Sequence, residues 1–260
     1  MTTAQVANGR FDFGRVVQNT FGVSARNFRE LAILALVLSG IPAAILGWIQ
    51  LRGFGLDATA ALPGPGPFGA LAAGWILTVV CGAILQATIV RVTVADLNGD
   101  AVSALGEARK AVATAIPLII LSLIATIGIM FATLFLVVPG IILAVMWSAA
   151  IPALVIERPG IFKSLSRSRN LTRGFRWPIF GLLIIYIVAY AVASTVFGGV
   201  VGVAAMAGGA TSMMIGTILV SAVIGALAGI VGYAGTAAIY YELRAVKEGV
   251  GAAQLAAVFD

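Results

Sequence analysis

Residues 115–156, AIPLIILSLIATIGIMFATLFLVVPGIILAVMWSAAIPALVI, hold no Lys, Arg, Asp, Glu or His. A single helix of that length, rising 1.5 Å per residue, would extend about 63 Å, roughly twice the hydrocarbon thickness of a bilayer. The stretch must therefore turn, and Pro139-Gly140 is where the sequence offers a break. Segment 141–156 is short for a span, so the pair either crosses twice or dips in as a re-entrant unit. Both ends then emerge on the same side.

Divided at this break, the apolar stretches of the chain are 31–51, 70–91, 115–137, 141–156, 177–205 and 213–241. Fifteen of the sixteen Lys and Arg residues fall in every second gap, Arg52 being the exception. Arg10, Arg15, Arg26 and Arg29 precede the first stretch, and Arg91, Arg109 and Lys110 follow the second. Arg158, Lys163, Arg167, Arg169, Arg173 and Arg176 separate the fourth from the fifth, and Arg244 and Lys247 follow the sixth. Cytoplasmic loops retain excess basic residues. The pattern predicts an all-α, polytopic bundle of six transmembrane helices in the cell's inner (plasma) membrane, with both termini cytoplasmic.

Composition agrees with one integral membrane domain over 1–260. Hydrophobic residues make up 61% and charged residues 10%, and mean hydropathy is +1.09, against about 25% charged in soluble domains. A net charge of +6 and a pI near 10.0 are read as the topology signal facing an anionic leaflet, not as a nucleic-acid footprint. Cys81 is alone, so no intrachain disulfide is expected. Thirty polar and amphipathic residues precede the first apolar run, which argues for an anchor and against a cleavable signal peptide.

Histidine is absent, and all ten acids (Asp12, Glu30, Asp57, Asp96, Asp100, Glu107, Glu157, Glu242, Glu248 and Asp260) lie at span ends, in loops or in tails. Ser-His and Cys-His nucleophile pairs are thereby excluded, zinc ligation lacks its usual donors, and no carboxylate relay crosses the membrane. Neither an enzyme working alone nor a metal or other cofactor is expected.

Three segments before odd-numbered spans have helical amphipathic spacing. In the first, Phe13, Val17, Phe21, Ser24 and Phe28 form one stripe, with Arg15, Arg26 and Arg29 opposite. In the second, Ala101, Ala104, Leu105, Ala108, Ala111 and Val112 share an arc, with Ser103, Glu107 and Lys110 across from it. The third sets Ile161, Leu165, Ser168, Leu171, Thr172 and Phe175 against Lys163, Arg167, Arg169, Asn170 and Arg173. Each reads as an interfacial helix, apolar face down, feeding a transmembrane hairpin. The candidate repeat units are 11–91, 100–156 and 160–241. The third segment carries no acid after Glu157, which marks Arg158, Lys163, Arg167, Arg169, Arg173 and Arg176 as candidate contacts for anionic lipid headgroups. A solvated topology anchor is the plainer alternative.

Smaller signals have plainer readings. Asp96, Asn98, Asp100 and Glu107 fall at calcium-loop spacing, but Ala101 stands where that loop needs Gly, and a polar turn capping the next helix explains the run. Gly198-xxx-Gly202 and Gly225-xxx-Gly229 allow close helix approach within the chain or in a homo-oligomer. Trp48, Trp75, Trp177, Tyr240 and Tyr241 sit near span ends as an aromatic belt. Trp147 lies within the fourth span, to pack the core or to face a substrate. Segment 57–67 is an external Pro/Gly-rich loop.

The run Pro139-Gly140-Ile141, Trp147-Ser148, Pro152-Ala153, Ser164-Leu165, Ser168 and Leu171-Thr172-Arg173-Gly174 resembles the membrane domain of glycerophosphodiester phosphodiesterases and related bacterial membrane proteins. Tyr240-Tyr241-Glu242-Leu243-Arg244, then Glu248-Gly249, is similar to that family's closing motif. In hydrolytic members the chemistry belongs to an appended soluble domain using histidine and carboxylates, so the activity is not expected to transfer to this chain. The resemblance implies a membrane module linked to lipid or envelope homeostasis.

The expected function is thus non-enzymatic: contact with anionic lipids or a protein partner through the basic segment, with Arg167, Arg169 and Arg173 foremost. The alternatives are a transporter or channel, which needs a polar mid-membrane cavity lined by residues such as Gln86, Thr88, Ser122, Thr126, Ser194 or Thr195, and a membrane subunit of a separate catalytic chain.

Overall fold

A computed structural model describes residues 11–54, 66–100 and 102–249. Every regular element among them is helical: α1 (Phe13–Arg26), α2 (Phe28–Ala35), α3 (Ile41–Phe54), α4 (Gly66–Asn98), α5 (Ala104–Val112), α6 (Ala115–Phe135), α7 (Val137–Trp147), α8 (Ala150–Glu157), α9 (Ile161–Thr172) and α10 (Arg176–Glu248), with a π-helical turn, Leu36–Gly40, joining α2 to α3. Arg10, Ala101 and most of the Pro/Gly-rich segment 57–67 lie outside the described residues.

Six helical stretches are long and apolar enough to cross a membrane: Phe28–Gln50, Phe68–Asn98, Ala115–Phe135, Val137–Glu157, Arg176–Val203 and Ile215–Glu248. The last two belong to one continuous helical assignment. Tyr186 Oη nevertheless donates to the Ala228 carbonyl at 3.1 Å, although a straight helix would separate these residues by about 63 Å. The chain therefore folds back between Tyr186 and Ala228, and the two arms of α10 lie side by side.

The turn in 115–156 falls at Leu136, not at Pro139-Gly140. Leu136 is extended (φ −158°, ψ 137°) and caps α7. Pro139 is the third residue of α7, where a missing N–H costs nothing because first-turn amides have no intrahelical acceptor. Pro117, Pro152 and Pro178 occupy the same third position in α6, α8 and α10. Gly140 works by size: a Cβ there would lie 2.9 Å from Thr133 Cβ and 3.0 Å from Thr133 Cα. This glycine lets α6 and α7 meet closely just past the bend.

The fourth span breaks a second time, at Ser148 and Ala149, between α7 and α8. Helix α9 repairs the break. Buried Ser168 donates to the Met146 carbonyl at 2.7 Å and accepts from the Ala149 N–H at 3.2 Å, and Thr172 Oγ1 lies 3.3 Å from the same carbonyl. Trp147 packs on α6, its ring occupying the space a side chain at Gly128 would need.

The amphipathic readings of α1, α5 and α9 meet different outcomes. On α9, Leu165, Ser168, Leu171 and Thr172, from the face expected to lie on the bilayer, pack inside the protein. On α1 the buried face is Val16, Thr20, Val23 and Ser24, while Phe13, Phe21 and Phe28 are exposed at 37%, 59% and 52%. Small and β-branched residues pack against α10, leaving the phenylalanines outward. On α5, Ala104, Ala108 and Ala111 are buried and Leu105 and Val112 are exposed. The core is rich in alanine, including Ala87, Ala149, Ala153, Ala237 and Ala238, which brings helix axes together where van der Waals contact drives association.

Candidate functional site: a cationic cleft beside an ion-pair network

Charged residues converge on one end of the bundle. Arg26 and Asn27, before the first span, reach Asp96 at the end of the second. Glu30 accepts from the Ala104 N–H at 2.8 Å at the start of α5, and Glu107 pairs with Arg91 at 2.6 Å and Lys110 at 2.7 Å. The four oxygens at calcium-loop spacing therefore do not form one site: Asp96 and Glu107 turn to different cations, and no His/Cys/Asp/Glu metal cluster occurs among the described residues. Ser103 begins α5 as its N-cap, the capping role expected of that turn. Burial alone would raise the Glu107 pKa, but hydrogen bonds from Lys110 and Arg91 bring it below the usual carboxylate range.

The closing motif ties distant parts of the chain together. Tyr240 Oη donates to Glu157 Oε1 at 2.7 Å, and Tyr241 Oη donates to the Leu97 carbonyl at 3.3 Å. Glu242, 1% exposed, accepts from the Asp12 N–H at 3.2 Å and faces Arg15 at 3.6 Å. Arg244 donates to Glu248 at 2.9 Å.

Arg167 joins this network. Its Nε and Nη2 grip Glu157 at 2.9 Å, and it also pairs with Glu248. The Glu157 hydrogen bond raises the Arg167 pKa against the opposing effect of burial. A guanidinium engaged by two carboxylates holds α8, α9 and the end of α10 together.

Arg169, Arg173 and Arg176 have the opposite surroundings. With Ser166 and Asn170 they line an open cleft of about 370 Å³. No carboxylate among the described residues pairs with any of the three, and Arg176 Nε is buried without a hydrogen-bond partner. Lys247 reaches the same turn, donating to the Asn170 carbonyl and standing 5.8 Å from the Phe175 ring centre. The cleft forms because α9 ends at Arg173 in extended backbone, Gly174 turns with φ +93°, and α10 starts at Arg176. The α10 N-cap, Phe175, has no side-chain cap bond, so the amides of Arg176 and Trp177 add the positive end of a helix dipole.

Six basic residues were expected to act together, and the cleft gathers three. Arg158 is exposed as the left-handed cap of α8 (φ 52°), and Lys163 is exposed on the first turn of α9; neither lines the cleft. Ser166 and Asn170 are additions. Their spacing with Arg169 and Arg173 (i, i+3, i+4, i+7) places all four on one helix face, a signal present in the sequence.

The polar residues named for a mid-membrane pathway are dispersed. Thr88 is buried and bonds back to the Ile84 carbonyl at 2.7 Å, and Ser194 and Thr195 both bond back to Ala191. Thr126 is exposed. Gln86 alone among them opens onto a lateral cavity.

Six apolar helices with their charged ends gathered at one pole give the chain the make-up of a multi-pass membrane protein. It belongs to the family described as domain of unknown function DUF7847, which matches residues 68–243, about two thirds of the chain. No curated protein matches the chain. Neither does any solved structure.

Proposed function

We propose that this is a non-enzymatic protein of the bacterial inner membrane that holds anionic lipid headgroups in the cleft of Arg169, Arg173 and Arg176. In this reading the α9 end of the bundle is cytoplasmic, as are both termini, and the chain serves lipid or envelope homeostasis. The likeness of its motifs to the phosphodiesterase membrane domain supports that setting. The six spans pair as three hairpins, each preceded by an amphipathic helix, and the outward Phe13 and Phe21 of α1, with Phe28 at the start of α2, face the bilayer boundary.

The observation that carries the proposal is the contrast between Arg167, neutralised by Glu157 and Glu248, and three neighbouring arginines gathered without a counter-charge. Guanidinium groups bind phosphate oxygens bidentately. At about 1 kcal/mol per basic residue near an anionic surface, three contribute about 3 kcal/mol before screening.

The test is native mass spectrometry of detergent-extracted protein titrated with phosphatidylglycerol or phosphatidylcholine. Replacing Arg169, Arg173 and Arg176 together by Gln should weaken phosphatidylglycerol binding by about 100-fold and leave phosphatidylcholine binding unchanged. Unchanged phosphatidylglycerol binding by the folded triple variant would refute the assignment.

A further inference from the structure

We infer that a second site, within the apolar bundle, takes an uncharged acylglycerol. A cavity of about 320 Å³ lies between α1, α4 and the two arms of α10. Val17 and Phe21 of α1, Leu182 and Tyr186 of the first α10 arm, and Ile239 of the second line its apolar walls. It has the size of a small ligand site, which is mostly apolar with a few converging polar groups.

Two of its polar groups lack partners. Gln86 and Tyr233 both line the cavity, and neither side chain makes a hydrogen bond among the described residues. The neighbouring hydroxyls are already used: Tyr186 donates to Ala228, Thr20 to Val16 and Thr236 to Tyr233 backbone oxygens. In hydrocarbon an unpaired amide is costly, and water is not there to satisfy it. Two such groups in one cavity define a polar floor in an otherwise greasy pocket.

The chemistry of that floor selects the occupant. A carboxamide both donates and accepts, so it is satisfied by a ligand that presents a carbonyl and a hydroxyl side by side. No Lys, Arg, Asp or Glu lines the cavity, so a phosphate or ammonium headgroup would be buried there without compensation. An acylglycerol has an ester carbonyl beside a free hydroxyl, no charge, and chains that continue into the surrounding bilayer. This site is independent of the cationic cleft, which requires charge where this one rejects it.

The experiment is photo-crosslinking of the full-length protein in vesicles carrying trace diazirine-labelled diacylglycerol, followed by peptide mapping. Labelling should map to α1, α4 and both arms of α10. The paired substitution Gln86→Leu with Tyr233→Phe removes the polar floor at nearly constant volume. It should reduce labelling about tenfold or more with the thermal midpoint unchanged or raised. Ala189→Phe, which fills the cavity, should reduce labelling independently. Equal labelling of the wild type and the paired variant would overturn the inference. So would equal capture in this cavity of a diazirine phosphatidylglycerol or a diazirine alkane.

Discussion

Removing the Ser168 hydroxyl tests whether α9 is a structural splint for the fourth span. In the folded protein that hydroxyl serves two backbone groups at once, donating to Met146 at 2.7 Å and accepting from Ala149 at 3.2 Å, and the residue is 0% exposed. Ser168→Ala leaves the Ala149 N–H without a partner, costing about 1–3 kcal/mol. Met146 is partly protected, because Thr172 Oγ1 approaches it at 3.3 Å. Thr172→Val alone should cost about 1 kcal/mol or less, since that hydroxyl bonds chiefly within its own helix, to Ser168 at 2.9 Å. Together the two changes strip the Met146 carbonyl of both donors. The double variant should therefore lose about 1 kcal/mol more than the sum of the singles. Equilibrium unfolding in mixed micelles, run as a double-mutant cycle, measures this. A Ser168→Ala cost below about 0.5 kcal/mol, or strict additivity, would show that the break is held by packing alone.

Gly140→Ala should destabilise by about 1–3 kcal/mol, because the new methyl overlaps the Thr133 hydroxyl and also crowds Thr133 Cβ and Cα; Thr133→Ala in the same chain should recover only part of the loss, as the Cβ and Cα of residue 133 still stand in the way. A thermal unfolding series in one detergent would reveal both effects. Glu107 gives a pH prediction: its folded pKa is lowered, so its contribution is present above the unfolded carboxylate value and fades as pH falls through the folded one. Unfolding midpoints should drop at acid pH less steeply in Glu107→Gln than in the wild type.

Hydropathy and charge made the six apolar helices legible, because lipid imposes strong rules on length and on where cations lie. The interior joints were less legible. Pro139-Gly140 marked the right region, yet a proline is harmless in a helix's first turn, and the glycine's role depends on Thr133 from the preceding helix. The phenylalanine stripe of the first segment stood out, but that Val16, Thr20 and Val23 form its packed face depends on the position of α10. The cationic cleft was half visible. The six basic residues stood out in the sequence, but the division between Arg167 and its neighbours depends on Glu248, distant in the chain and brought back by the fold.

The bond from the Asp12 N–H to Glu242 has a consequence for biogenesis. The first helix docks on a residue made 230 positions later, so it must wait, unlatched, while the apolar helices between them are synthesised. A chain truncated before Glu242 should insert its early helices yet leave its amino-terminal segment open to protease.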